Sequence, residues 1–363
     1  MTSRDRTPDR AELAVVGSFT SAAREARGKG ISVLPHTGAG AEPLSSILTV
    51  ENPSYVLADV HRDVVHAVHG DGTVVTSYSV DRGSGRIREL SCVPSGGVNG
   101  VAVAQHPGGR FLHVANYGSG SVSTVPVAGD GTLSAAESVL ELPGEPGPHR
   151  TEQAGSHPHD ARFDPSGRWL VVPDKGLDLV FVLRPDDATG ALTVHSAARV
   201  RAGSGPRHVT FHPHLPCAYV VGEIDSTLTS LAWDAERGTL TPRHVVPALP
   251  DTAFAPSTAA EIVVERSGRV AYVSNRGDDS ITRIALGDDG LAMSVTGWTP
   301  SGGAVPRFMT LSPDAEHLLV ANEQGDNIVT FAVDAATGDL TPVSSLASAS
   351  PSALAFLRPG CDR

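Results

Sequence analysis

One phrase recurs along the chain, and it limits the available folds more than any other feature. DPSGRWLVVPDKGLDLVFVL begins at residue 164, HPGGRFLHVANYGSGSVSTVPV at 106 and HPHLPCAYVVGEIDSTLTSLAW at 212. ERSGRVAYVSNRGDDSITRIAL begins at 265, SPDAEHLLVANEQGDNIVTFAV at 312 and the most degenerate copy, DVHRDVVHAVHGDGTVVTSYSV, at 59. Successive starts are 47, 58, 48, 53 and 47 residues apart. A repeat of that length, built of short β-branched runs separated by Gly, Pro and Asn, reads as one four-stranded propeller blade. Each unit closes on a D-x-x-x-G-x-L turn, as in DDATGALTV (186–194), DAERGTLTP (234–242) and DAATGDLTP (334–342). The glycine supplies the positive φ that such a turn requires.

The ends of the chain supply a seventh unit. AELAVVGSF and KGISVLPH near the N-terminus read as middle and outer strands, and SPSALAFL (350–357) reads as an innermost strand. Pairing them closes the ring and removes exposed sheet edges. The expectation is an all-β, seven-bladed propeller of four-stranded antiparallel blades, one domain over residues 12–357. Short tails, 1–11 and 358–363, flank it. Residues 143–156 and 247–259 are then inter-blade loops, which accounts for the two longer spacings.

Composition narrows the function classes. A formal net charge of −12 opposes a broad nucleic-acid face, while leaving room for a local basic pocket. No run of 18 apolar residues and no apolar N-terminal signal are present, so a cytoplasmic protein is expected, a monomer or weak homodimer. Cys92, Cys217 and Cys361 are too far apart for a disulfide framework or a zinc motif.

In a blade, the start of the first strand and the end of the second lie at the same end of the ring. Aligning the copies collects two sets of residues there. Five positions before each start stand Ser54, Val101, His159, Arg207, Ala260 and Arg307; eleven after it stand Gly70, Tyr117, Lys175, Glu223, Arg276 and Glu323. His208 and Glu261 come one residue deeper, and Asn275 precedes Arg276. A purely structural rim would tolerate Ser, Gly or Thr. Arg, His and Glu converging on a concave mouth suit an anionic, oxygen-rich small molecule. His157 and His159 of the HPH motif lack a third ligand at metal spacing; His157 reads as a loop hydrogen-bonder, and Asp174–Lys175 as a solvated turn pair.

The stretches GSHPHDARFDPSGRWLVVPDKG, GSGPRHVTFHP with YVVGEIDST, AAEIVVERSGRVAYVSNRGDDSI and VPRFMTLSP with LLVANEQGDNI resemble the lactonase family of seven-bladed propellers, over about residues 12–357. The resemblance implies hydrolysis of a sugar lactone, 6-phosphogluconolactone of the pentose phosphate pathway being the best-known substrate. A sister branch, the carboxy-muconate lactonising enzymes, implicates a His, two Arg and a Glu, which fall by motif on His159, Arg207, Arg276 and Glu223. The expected catalytic set is His159, Glu223 and Arg207; the expected substrate-binding set is Arg276, Arg307, His208 and Asn275. The partner is a small anionic sugar lactone, and neither cofactor nor metal is expected. Four stretches depart from the family pattern: VNGVAV (98–103), VHG (68–70), IVV (262–264) and PRF (306–308). The alternatives are a lactonising cycloisomerase or a non-catalytic binding propeller. The Arg-rich rim argues against the calcium-dependent gluconolactonase type.

Overall fold

A computed structural model describes residues 13–35, 43–253 and 255–357. The expected tails and Cys361 lie outside the described residues. Among the described residues, twenty-eight strands form seven antiparallel sheets of four. Blades 1 to 6 begin with the innermost strands Pro53–Ala58, Gly100–Gln105, Arg162–Phe163, Pro206–Phe211, Thr258–Val264 and Pro306–Leu311, and each runs outward in chain order. Blade 7 is composite. Its innermost strand, Pro351–Leu357, pairs with Leu13–Ser18, which pairs with Ile31–Pro35 and that with Ser45–Ile47. The ring is thus closed by joining the two ends of the chain, as the sequence predicts.

The period-2 alternation of a strand gives each blade two apolar faces. Leu170 and Val172 pack toward blade 2, whereas Trp169 and Val171 pack toward blade 4. The second strands are therefore largely buried, in Cys217–Gly222 along the whole length. Seven apolar clusters result, one at each interface between neighbouring blades. The chain has few aromatics, and several of them tie blades together. Tyr219 and Tyr272 donate their hydroxyls to the carbonyls of Gly290 and Gly338, the turn glycines of the next blade, at 2.6 and 2.8 Å.

One irregularity bears on function. In blades 1, 2, 4, 5, 6 and 7 the innermost strand slips register by one residue at the end where the second strand finishes. In blade 4, Pro206 pairs with Gly222 and Val209 with Val220, so Arg207 and His208 together oppose Val221. A β-bulge re-aims the residues it contains. Here it acts on the positions that the repeat alignment assigns to the mouth of the channel.

Candidate active site

Glu223 is the hub of the mouth. It follows the second strand of blade 4, and its amide donates to Gly205 O at 2.8 Å. Its carboxylate gathers four side chains from three blades. Arg207 Nε lies 2.9 Å from Oε2, Lys175 Nζ 2.8 Å from Oε1, Arg276 Nη2 3.3 Å from Oε1 and His159 Nε2 3.8 Å from Oε2. Arg207 is pinned further by donating from Nη1 to Ala260 O of blade 5 at 2.6 Å. Arg276 donates from Nη2 to Ala259 O at 3.2 Å. Glu223, Lys175, Arg207 and His159 are all buried.

Burial alone would raise the Glu223 pKa, but Arg276, Arg207 and Lys175 outweigh it and hold the carboxyl well below its ordinary range. It is an anion at neutral pH. Burial, reinforced by the charge of Arg207, lowers His159 too, well below the usual imidazole value. His159 is therefore neutral at pH 7, with a lone pair available. Burial and the neighbouring Arg276 lower Arg207 to about 9, still cationic at neutral pH. Burial opposes the charge on Lys175, yet Glu223 and Glu152 together raise its pKa.

Tyr117 of blade 2 walls the site beside His159, with ring centroids 5.4 Å apart edge to face. It stacks on His157 at 4.4 Å. His157 Nδ1 lies 2.9 Å from Tyr117 O, so this histidine fastens the loop, as expected. Further round the mouth, Arg307 Nη1 lies 3.5 Å from Glu323 Oε2, and its guanidinium stands 5.0 Å from the centre of the Phe19 ring. Arg24 lies 4.4 Å from the same ring and grips Asp71 with two hydrogen bonds, from Nε at 2.5 Å and Nη2 at 2.9 Å.

The structure brings His159, Arg207, Glu223 and Arg276 into one cluster, with Arg307 beside it and His208 beneath. Asn275 is a correction. Its side chain is buried in the blade, and its Nδ2 is spent on Ala248 O, Ser280 Oγ and Thr282 Oγ1 at 3.2, 3.1 and 2.9 Å. Asn116 and Asn322 occupy the same repeat position and likewise bond within their own blades and adjoining loops. That position is a structural fastener, not part of the mouth.

Asp174 and Lys175 are a second correction, because neither is solvated. Asp174 accepts from His157 N, Gly176 N and Leu177 N, and so organises the turn. Lys175 joins the charge cluster and also meets Glu152 at 2.7 Å. Glu152 arrives on the long 143–156 loop, which Gln153 anchors to Lys175 O and Asp178. Sequence reasoning missed Lys175, Glu152, Phe19 and Arg24. For Lys175 a signal existed, since it shares the repeat position of Glu223 and Arg276. Among the described residues no three His, Cys, Asp or Glu side chains converge so as to hold a metal ion.

The family model described as lactonase, seven-bladed β-propeller, matches residues 13–356. The 6-phosphogluconolactonase of Bacillus subtilis is 31% identical over 300 residues, covering 82% of this chain and 84% of that protein. The 6-phosphogluconolactonase of Pectobacterium carotovorum is 30% identical over 310 residues, covering 84% and 88%. Among solved structures, the periplasmic gluconolactonase of Pseudomonas aeruginosa is similar with a TM-score of 0.86 at 28% identity. That likeness covers 96% of this chain and 99% of its own.

Proposed function

The chain belongs to the lactonase family of seven-bladed β-propellers, and from that premise we propose that it hydrolyses a sugar lactone, with 6-phospho-D-glucono-1,5-lactone as the leading substrate. The relatives named for that activity support the reaction class. The observation that carries the anionic substrate is the charge balance of the mouth. Lys175, Arg207, Arg276 and Arg307 face Glu223 and Glu323, with Glu152 meeting only Lys175 from the loop. A largely buried site with surplus positive charge favours an anion that completes it.

Hydrolysis of a cyclic ester needs an activated water, a stabilised oxyanion and a held substrate. Neutral His159 takes the water proton. Arg207, fixed by Glu223 and Ala260, bears the charge that develops on the carbonyl oxygen. Arg276 and Arg307 hold the phosphate through forked hydrogen bonds. Glu223 keeps the cations in place; its two oxygens are taken up by Lys175, Arg276 and Arg207, whereas among the described residues His159 Nδ1 has no hydrogen-bond partner. Such lactones open readily without a catalyst, so a barrier reduction of only about a few kcal/mol is required. Every step uses side chains of this chain alone.

Turnover of the phosphorylated lactone would place the protein in the pentose phosphate pathway and in the cytoplasm; among the described residues no helix is long and apolar enough to cross a membrane. The test compares initial rates on freshly generated 6-phosphogluconolactone and on unphosphorylated gluconolactone, each corrected for spontaneous opening. A preference for the phosphorylated substrate is expected. Equal rates on both would assign the arginines another task. Turnover of a carboxy-muconate diacid, with neither lactone accepted, would replace hydrolysis by cycloisomerisation.

A further inference from the structure

Beneath the rim lies a second pair of side chains that the hydrolytic scheme leaves unused. His208 and Glu261 belong to the innermost strands of blades 4 and 5, one residue deeper than Arg207 and Ala260. His208 Nδ1 is 2.9 Å from Glu261 Oε1, and both side chains are buried. The carboxylate is itself held, since Oε1 also accepts from Ile262 N at 3.0 Å. The Glu261 amide donates to Ser274 Oγ at 3.0 Å. A carboxylate that accepts the hydrogen bond of Nδ1–H fixes the tautomer and leaves Nε2 as the reactive nitrogen. Among the described residues His208 Nε2 has no hydrogen-bond partner. The His208 ring stands 5.5 Å from the His159 ring.

Other groups frame the pair. His159 and Asp160 face it from blade 3, where Asp160 Oδ2 accepts from Val209 N at 3.1 Å. Arg207 precedes His208 on its own strand, and Glu223 lies beyond His159. Tyr55 of blade 1 and Arg162 of blade 3 lie within electrostatic reach of Glu261.

We infer that His208, held by Glu261, gives the proton to the ring oxygen that leaves the carbonyl carbon, so that two histidines divide the two proton steps of hydrolysis. The assignment rests on the lactone reading above. Water gives one proton to His159, and its oxygen bonds to the carbonyl carbon. The proton then passes from His159 to His208 Nε2, so that His208 carries a proton on both nitrogens while Glu261 holds Nδ1–H. The tetrahedral oxyanion collapses, the bond from that carbon to the ring oxygen breaks, and the ring oxygen takes the Nε2 proton, which returns both rings to their starting state. The new carboxylic acid then releases its own proton to solvent. An alkoxide is a poor leaving group unless it is protonated as it departs, so a donor at this point serves the slow half of the reaction. Glu261 is a positioning residue that acts through His208.

The test uses the purified full chain and 6-phosphogluconolactone, with His208→Gln, Glu261→Gln and Glu261→Asp beside the wild type. His208→Gln should lower kcat about 100-fold with little change in KM. Glu261→Gln should lower kcat about 10-fold with little change in KM, and Glu261→Asp should restore most of the rate. An unchanged kcat in Glu261→Gln, or a loss confined to KM, overturns the assignment. Imidazole nitrogen NMR of the wild type gives a reading that does not depend on variant folding. His208 is expected as the Nδ1–H tautomer, and an Nε2–H tautomer at neutral pH overturns it. A wild type no faster than the spontaneous reaction removes the lactone reading and this assignment together. A wild type that turns over while Glu261→Gln matches it removes only this assignment.

Discussion

The mouth of the propeller has two arcs built on the same backbone. Blades 3 to 6 carry His159, Lys175, Arg207, Glu223, Arg276, Arg307 and Glu323; blades 7, 1 and 2 place Ser352, Phe19, Ser54, Gly70, Val101 and Tyr117 at equivalent positions. On the bare arc the serines serve the scaffold. Ser352 Oγ donates to Pro53 O at 3.0 Å, and Ser54 Oγ to Gly100 O at 3.1 Å, each reaching the next blade's innermost strand. Arg207 makes the matching bridge to Ala260 O and has the rest of its guanidinium left over. A hydroxyl is enough to lock one blade to the next. The arginine therefore brings more polar capacity than the fold needs, and the surplus meets Glu223 and the open mouth.

The arcs should also differ in how they fail. The widest effect is expected in acid, where the bare side adds three buried histidines to His159 of the charged side. His66 and His69 in blade 1 and His113 in blade 2 are buried, and burial lowers all three below the ordinary imidazole value, His113 to about 3. The unfolded chain takes up these protons first. Stability fully present above about pH 6.5 is therefore lost as pH falls through that value toward the folded pKa values. Denaturant midpoints between pH 7 and 5 should drop, and His113→Gln should reduce the slope by about one proton. A His113→Gln curve parallel to the wild type would contradict this.

On the charged side, Glu223→Gln leaves Lys175, Arg207 and Arg276 without their shared counter-ion. A destabilisation of about 3 kcal/mol is expected from denaturant unfolding, along with loss of turnover, because breaking a buried pair strands its partner charges. Arg307→Gln should raise KM for the phosphorylated lactone about 10-fold, the value of one charge-assisted contact. KM for the unphosphorylated lactone should stay the same; an equal rise for both would show that Arg307 shapes the mouth without holding the phosphate. Smallest of all, Ser54→Ala removes one inter-blade hydrogen bond. It should cost about 1 kcal/mol in unfolding experiments with no effect on rate.

The same two arcs mark how far the sequence could be read. Repeat spacing located the blades and the composite seventh sheet, because each strand carries its own alternation and each turn its own Gly or Asp. It also aligned His159, Arg207, Glu223 and Arg276, because equal offsets within equal repeats share one end of the ring. Lys175 was misread because D-K-G looks locally like a solvated turn. What buries it is non-local: Glu223 from the next blade, and Glu152 on a loop whose course no periodicity encodes. Asn275 was misread for the converse reason. It stands beside Arg276, but alternation along the strand turns it into the blade. Arg24 and Phe19 lie in a connection without repeat signal, so their approach to Arg307 appears only once the ring is closed.

The central claim is that the charged arc, and not the ring as such, opens the lactone. It is tested most directly by initial rates on freshly generated 6-phosphogluconolactone, coupled to 6-phosphogluconate dehydrogenase, for the wild type, His159→Ala and Ser54→Ala. The account predicts wild-type turnover above the spontaneous rate, a fall of about 100-fold in kcat for His159→Ala, and an unchanged rate for Ser54→Ala. Equal rates for His159→Ala and the wild type would contradict it.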